Sequence, residues 1–477
     1  MQYVPTIGLE IHVQLNTASK MFCACGTDFA APPNTQICPG CLGYPGTLPL
    51  VNREAVRKTV VAGLMLGCRI NRLSRFDRKN YFYPDVSKNY QISQLDLPLC
   101  LGGAVTFQHA GAERTVNLNR IHLEEDVAKS THHARFSGVD FNRAGIALME
   151  IVTEPELCSP EETFEFLLAL RQILVYAGVS ECNLEQGNLR CDVNVSVRPE
   201  GTDKLGTKVE IKNMNTFRGI LAALQFEIPR QIAAIEAGGT IVQETRRWDA
   251  DLGETFSMRT KEDAYDYRYF PEPDIPPILL DDAQIEEWRA ALPELPAAKR
   301  ERFVADYGLP AYDAGVLAAQ IEVAHFFEKT AALCGNSKAA SNWIMTDLLR
   351  LLGSSGRELG DIPLKPENLA ALIKLLDART INMPIAKELF DELFAQGGDP
   401  ATIVKERGLA QVSDSGAIAA FAAEVVAANP KVVADFVGGK AAALQFLIGQ
   451  VMKLSRGKAN PQMAGELIRA AIEAAGK

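Results

Sequence analysis

The chain is predicted to be α+β, with a mixed sheet and helices in its first part and helices alone thereafter. Three observations over its 477 residues predict this. Apolar and polar residues alternate in short stretches before Pro277, and strand signals vanish after it. From Asp281 onward apolar residues recur at helical spacing, and alanine and leucine become abundant. Between these textures lies Phe270-Pro-Glu-Pro-Asp-Ile-Pro-Pro277, whose prolines remove N–H donors and exclude helix.

The elements follow in order. Leu9 to Leu15 alternates and reads as a strand, and Arg53 to Met65 carries a helical period. Val116 to Leu123 alternates again. Pro160 to Ala177 is a helix with an explicit start: Ser159 as N-cap, Pro160 at the first position, and Glu161 and Glu162 in the first turn. Cys191 to Arg198 and Thr207 to Lys212 are strands, followed by a helix over Thr216 to Ala237. Beyond Asp281, Pro293, Pro296 and Pro310 punctuate short helices. Gly397-Gly-Asp-Pro400 marks a further boundary. Three domains are expected, at 1–292, 293–400 and 401–477. The last is helical and locally basic, with Lys440, Lys453, Arg456, Lys458 and Arg469; a solvated face and a phosphate contact explain these equally.

A composition of 47% hydrophobic and 23% charged residues provides ample core. The net charge of −10 argues against nonspecific coating of nucleic acid but leaves a local basic face open. No apolar run is long enough for a bilayer, and Met1 to Leu15 lacks the basic start of a secretory signal. Six scattered cysteines without a secreted-scaffold rhythm fit a reducing cytosol, so a cytoplasmic location is expected.

The other four cysteines are ordered. Cys23-x-Cys25 and Cys38-Pro-Gly-Cys41 form two close pairs twelve residues apart, the spacing of a zinc knuckle. Four small buried hydrophobes or two disulfides are the alternatives. A zinc held by four thiolates has no open position, so its role is structural and the chemistry lies elsewhere.

Strand alternation places polar residues together. Glu10, His12 and Gln14 share one face of the first strand, opposite Leu9, Ile11, Val13 and Leu15. Arg190, Asp192, Asn194 and Ser196 share a face, as do Lys208, Glu210 and Lys212, and His122-Leu-Glu-Glu-Asp126 ends a strand in acid. Carboxylates interleaved with Lys and Arg are what a magnesium–nucleotide site needs; a salt-bridged solvent face is the competing account. The run Arg78 to Gln91 is dense in donors and aromatics, and Lys79, Tyr81, Tyr83, Ser87 and Lys88 suit a phosphate or ribose pocket. No Walker-A run, dinucleotide glycine fingerprint, nucleophile elbow or His-Glu-x-x-His helix is present. His132 and His133 lack a carboxylate at helical spacing and are read as non-ligating.

Taken together, these segments resemble the GatB family of aspartyl/glutamyl-tRNA amidotransferases over essentially the whole length. The resemblance rests on Ile7 to Leu15, the four cysteines with Cys38 to Gly46, Arg78 to Gln91, Ile121 to Asp126, Arg190 to Val197, Val209 to Asn215 and the closing run Gly449 to Pro461. It implies a cradle-like catalytic domain, a helical domain and a tail that contacts tRNA. It also implies ATP-dependent phosphorylation of the side-chain carboxylate of Glu-tRNA(Gln) or Asp-tRNA(Asn), then amidation by ammonia. The ammonia would come from an amidase partner, and a small third polypeptide would complete a heterotrimer. By this resemblance, with the strand faces, Glu10, His12, Asp192 and Glu210 are catalytic. Glu10, His12, Glu124, Glu150, Asp192 and Glu210 form the pool of Mg²⁺ ligands. Lys79, Tyr81, Lys88 and Lys208 bind ATP. Zn²⁺ is structural, on Cys23, Cys25, Cys38 and Cys41. A noncatalytic tRNA-binding scaffold and a metal-dependent hydrolase are the rival readings.

Overall fold

A computed structural model describes residues 2–260, 267–410, 415–455, 459 and 461–475; Arg456 and Lys458 of the basic tail lie outside these. The chain divides into two compact units, Met1–Pro296 and Ala297–Lys477.

The first unit is built on strands β1 (Tyr3–Gln14), β2 (Arg69–Ile70), β3 (Asp77–Asn80), β4 (Tyr90–Ser93), β5 (Cys100–Leu101), β6 (Ala104–His109) and β7 (Ala112–Glu125). It continues with β8 (Ala147–Thr153), β9 (Leu189–Pro199), β10 (Val209–Lys212), β11 (Glu244–Asp249), β12 (Glu254–Thr260) and β13 (Phe270–Pro271). Ten of these form one sheet, in the order β12-β11-β10-β9-β1-β8-β7-β5-β2, with β6 paired to β7. Every pairing is antiparallel except β10 with β11, so the sheet is mixed, as expected. A small sheet, β13-β3-β4, carries the start of the Tyr-rich run.

Alternation decides which face is which. Ile7, Leu9, Ile11 and Val13 of β1 are buried, as are Cys191, Val193, Val195 and Val197 of β9 and Ile121, Leu123, Met149 and Ile151 between β7 and β8. They share a core with helices α1 (Arg53–Met65), α2 (Pro160–Tyr176) and α3 (Phe217–Glu236), through Val60, Phe166, Leu170, Ile220 and Leu224. One face of the sheet is therefore closed by helices, and the polar residues are left on the other. Helix α2 starts as the sequence predicts: Ser159 Oγ accepts from the Glu162 amide at 3.0 Å, with Pro160 following. Ser159→Ala is expected to lower stability by about 1 kcal/mol in a denaturant titration, with activity unchanged at permissive temperature.

Every regular element among the described residues of the second unit is a helix. Ile321–Cys334, Pro366–Asp377 and Met383–Gln396 enclose one core, around Phe327, Leu372 and Phe390. Ser415–Ala428, Ala441–Leu454 and Pro461–Ala475 enclose another, around Leu447, Val451 and Ile468. No helix among the described residues is long and apolar enough to cross a membrane.

Candidate functional site

The sheet register brings together residues far apart in sequence. His122 pairs with Glu150, Glu150 with His12, and His12 with Arg190, so these four lie in one row across β7, β8, β1 and β9. Side chains directly opposite in neighbouring strands have Cβ atoms about 5 Å apart. One row along, Asp192 pairs with Glu10, and in the row beyond, Asn194 pairs with both Gly8 and Glu210.

The rows floor a basin of about 420 Å³. Its walls present six carboxylates (Glu10, Glu124, Asp126, Glu150, Asp192 and Glu210) against four cations (Lys79, Arg120, Arg190 and Lys212). That surplus of negative charge concentrates at one place. His12 Nε2 lies 3.2 Å from Glu150 Oε2 and 3.7 Å from Glu124 Oε1. His122 Nε2 lies 3.4 Å from Glu150 and 3.8 Å from Glu124, while its Nδ1 is buried with no hydrogen-bond partner among the described residues.

Both carboxylates are almost fully buried, whereas His12 keeps 20% of its side chain exposed. Burial would raise the carboxyls, but the histidines and Lys79 hold Glu124 and Glu150 below the usual carboxylate range. Burial alone would lower His12, yet Glu150, with Glu124 and Asp192, raises it to about 9. Such a site favours cations. His12, Glu124 and Glu150 each offer a ligand atom, and these atoms all lie within 4.8 Å of one another. Two carboxylates and an imidazole open to a basin suit a divalent ion that keeps part of its water shell.

The remaining members of the expected pool sit nearby with partners of their own. Lys212 Nζ contacts Asp192 and lies 3.2 Å from Glu210, which also accepts from Thr245 at 2.7 Å. Glu10 accepts from Asn194 at 3.0 Å. Lys79 faces the basin between aromatic rings, 5.0 Å from the centroid of Tyr267 and 5.8 Å from that of Tyr81. Burial would lower its ammonium, but Glu124, Tyr269 and Glu150 raise it. Tyr81 donates to Gln91 at 3.1 Å.

Two expected nucleotide residues lie outside the basin. Lys88 pairs with Glu125 at 2.6 Å beside a neighbouring cavity, and Lys208, exposed, lines another. Lys212 and Arg190 line the basin instead, the latter 2.9 Å from Asp126. Tyr267 and Tyr269 also line the basin, and sequence reasoning missed them; the aromatic run Tyr267-Arg-Tyr-Phe270 was the available signal.

The cysteines gather between β1 and α1. Cys41 Sγ lies 3.4 Å from Cys23, 3.5 Å from Cys38 and 3.7 Å from Cys25. A zinc tetrahedron with arms of about 2.3 Å has edges of roughly 3.8 Å, so the four thiols suit that ion. These separations are far too long for disulfides. Lys20, fully buried, places its Nζ 3.5 Å from Cys41 Sγ and 3.2 Å from the Phe141 carbonyl. The hydrogen bond from Cys23, aided by Lys20, pulls the Cys41 thiol down to about 4. Ser87 donates to the Cys41 carbonyl at 2.6 Å, tying the knuckle to the Tyr-rich run.

Comparison with known proteins then decides the family. Residues 5–286 match the GatB/GatE catalytic domain and residues 325–472 match the GatB domain. This chain belongs to the GatB family. Proteins named as the B subunit of aspartyl/glutamyl-tRNA(Asn/Gln) amidotransferase are similar to it from end to end. That of Caldicellulosiruptor saccharolyticus is 51% identical over 478 residues, covering 99% of this chain and all of the relative. That of Caldanaerobacter subterraneus subsp. tengcongensis is 51% identical over 470 residues (98% and 99%). That of Thermodesulfovibrio yellowstonii is 50% identical over 469 residues, with the same coverage. The GatB/GatE match spans both the cysteine cluster and the basin, so both lie in the catalytic region of the family.

Proposed function

We propose that this chain is the carboxylate-activating component of a glutamine-dependent tRNA amidotransferase, acting on Glu-tRNA(Gln), Asp-tRNA(Asn) or both. The observation that carries the reading is the convergence of His12, Glu124 and Glu150 in a basin that also presents Lys79, Arg190 and Lys212. The reaction is an ATP-dependent ligation in two steps. A side-chain carboxylate oxygen takes the γ-phosphoryl group of ATP, releasing ADP. Ammonia then attacks the carbonyl carbon of this acyl phosphate, phosphate leaves, and the amide remains. The first step is needed because a carboxylate is a poor acceptor for ammonia and its oxygen a poor leaving group.

His12, Glu124 and Glu150 would hold Mg²⁺, which when bound neutralises and orients phosphate oxygens. Lys79 and Lys212 supply fixed positive charge to the transferring group, and Arg190, anchored on Asp126, completes that side. The other carboxylates of the pool, Glu10, Asp192 and Glu210, position Asn194 and Lys212. Lys88 and Lys208 serve the neighbouring cavities. The cysteine cluster holds zinc as a brace.

In this reading residues 1–292 perform the chemistry, 293–400 form a helical domain, and 401–477 form a tail that contacts tRNA in the cytoplasm. An amidase partner supplies ammonia and a small third polypeptide completes the heterotrimer. Reconstitution with both partners, glutamine, ATP and each misacylated tRNA tests the whole. Amidated tRNA is expected only with ATP, and label from γ-phosphate should pass to aminoacyl-tRNA when ammonia is withheld. Amidation independent of ATP, or a complex that binds tRNA without forming product, would reverse the assignment.

A further inference from the structure

A buried lysine stands between the cysteine cluster and the acidic basin. Lys20 has no exposed surface, yet among the described residues no carboxylate pairs with it. Burying an unpaired ammonium is costly, so its anion must lie among its other neighbours. Its Nζ donates to Cys41 Sγ at 3.5 Å and to the Phe141 carbonyl oxygen at 3.2 Å. The carbonyl is a dipole, which leaves the sulfur cluster as the anion. Four thiolates outweigh a dipositive ion, so a loaded cluster keeps negative charge for a cation to balance.

Lys20 also begins a chain of contacts that ends in the basin. The Met21 amide donates to the Gly145 carbonyl at 2.7 Å, so Lys20 and Met21 together grip the turn 141–146 from the cysteine side. Gly145, at φ +83°, makes the turn tight enough for that grip. On its other side the turn holds the residues that follow β7. Gly145 donates to the Asp126 carbonyl and Asp126 to the Ile146 carbonyl, both at 2.8 Å. Arg143 donates to the carbonyls of Val127 at 2.9 Å and Ala128 at 2.7 Å. The Asp126 carboxylate in turn accepts from Gln14 at 2.6 Å and from Arg190, its neighbour in the basin wall, at 2.9 Å. One turn is thus held by the cysteine loop on one side and by the basin on the other.

We infer that Lys20 is a positioning residue: it is the counterion of the cysteine cluster, and its grip on the turn 141–146 sets Asp126, and with it Arg190, at the basin wall. The inference rests on the reading of the cysteines as a zinc site, and its effect on the reaction rests on the reading of the basin. Removal of zinc dissolves the anion that Lys20 faces. The ammonium then leaves its buried place, the turn loosens, and Arg190 loses a fixed partner. Zinc occupancy is felt at the basin in this scheme although no cysteine lines it.

Lys20→Met nearly keeps the length of the stem and removes the charge. In the purified full-length chain it is expected to release zinc to a competing chelator roughly tenfold faster or more. Hydrogen exchange gives a second readout. In the zinc-loaded variant the amides of Gly145 and Asp126 should exchange about tenfold faster than in the unaltered chain. Those within β1 and β9, strands paired on both sides, should stay slow. A general loss of stability would move both sets. Stripping zinc from the unaltered chain should produce the same local change, which tests the link even where Lys20→Met does not fold. In the reconstituted complex the variant should lower kcat/KM for ATP about threefold, with glutamine hydrolysis retained. Equal zinc release by folded Lys20→Met overturns the counterion. Unchanged exchange at Gly145 and Asp126 on zinc removal breaks the link to the basin. Faster exchange with kcat/KM unmoved takes Arg190 out of the reaction and leaves Lys20 holding the turn. An unaltered chain that takes up no zinc defeats the reading of the cysteines, and the inference with it.

Discussion

Glu150→Gln is expected to lower ATP-dependent amidation by roughly 10²-fold or more while the thermal midpoint stays within a few degrees. The side chain keeps its size, so the packing between β1 and β7 is preserved. What changes is charge. Glu150 lies 3.2 Å from His12 and 3.4 Å from His122, closer to each histidine than Glu124 is. An amide in its place is neutral and presents N–H donors toward the position of a cation. The loss should be accompanied by a weaker apparent affinity for Mg²⁺ in a titration of activity. Glutamine hydrolysis by the amidase partner should persist, because the altered step is activation of the carboxylate. Full activity with an unchanged Mg²⁺ dependence would remove Glu150 from the ion site.

Cys41→Ser carries the second large effect, on metal content and on stability. Cys41 is the buried member of the cluster and the one to which the other three sulfurs lie close. Its thiolate also faces the buried ammonium of Lys20. The substitution removes a proposed zinc ligand and leaves Lys20 without its anionic neighbour, a change worth about 3–5 kcal/mol when a buried charge pair is broken. Zinc measured on the purified chain should fall from close to one equivalent to near none, and the thermal midpoint of the first unit should drop by roughly 5 °C or more. Proteolysis should begin between Cys23 and Pro49, before the sheet opens. Retention of a full equivalent of zinc would show that Cys41 is not a ligand.

Much of this was legible from the sequence because strand alternation is a local property. The period of two in Leu9 to Leu15 and Cys191 to Arg198 placed Glu10, His12, Asp192 and Asn194 on a polar face, and the sheet keeps them there. The helix from Pro160 was announced by Ser159 and the two glutamates that follow. The cysteine spacing was equally plain. What alternation does not state is which strands become neighbours, and that decides the site. His12 meets Glu150 and Glu124 because β1 pairs with β8 and β8 with β7, contacts that bring His12 against residues more than a hundred positions away. Glu124 and Glu150, weakly supported by their own segments, are thus the partners of His12.

Lys208 and Lys212 show the same limit from the other side. They share a strand face by count, but β10 begins at Val209, so Lys208 stays in the loop and only Lys212 reaches Asp192 and Glu210. Lys88 is drawn away by Glu125, a choice between carboxylates that a linear reading cannot rank. Tyr267 stands beside Lys79 although nearly two hundred residues separate them, and nothing near Lys79 signals its arrival.

The row His122–Glu150–His12–Arg190 makes the sheet itself the gauge of the proposed cation site. His12 and Glu150, the two members of the proposed ligand set that lie in the row, are spaced by the distance between hydrogen-bonded strands, a constant of backbone geometry rather than of loop length. The lengths of the loops around the basin do not enter that spacing. The reverse also holds. A slip of β1 by one residue would turn His12 into the helix-packed core and Ile11 into the basin, so mispairing cannot yield a poorly tuned enzyme, only an inactive one. Under the proposed assignment, activity thus doubles as proof of correct strand registration, and cation binding at the basin would report on folding.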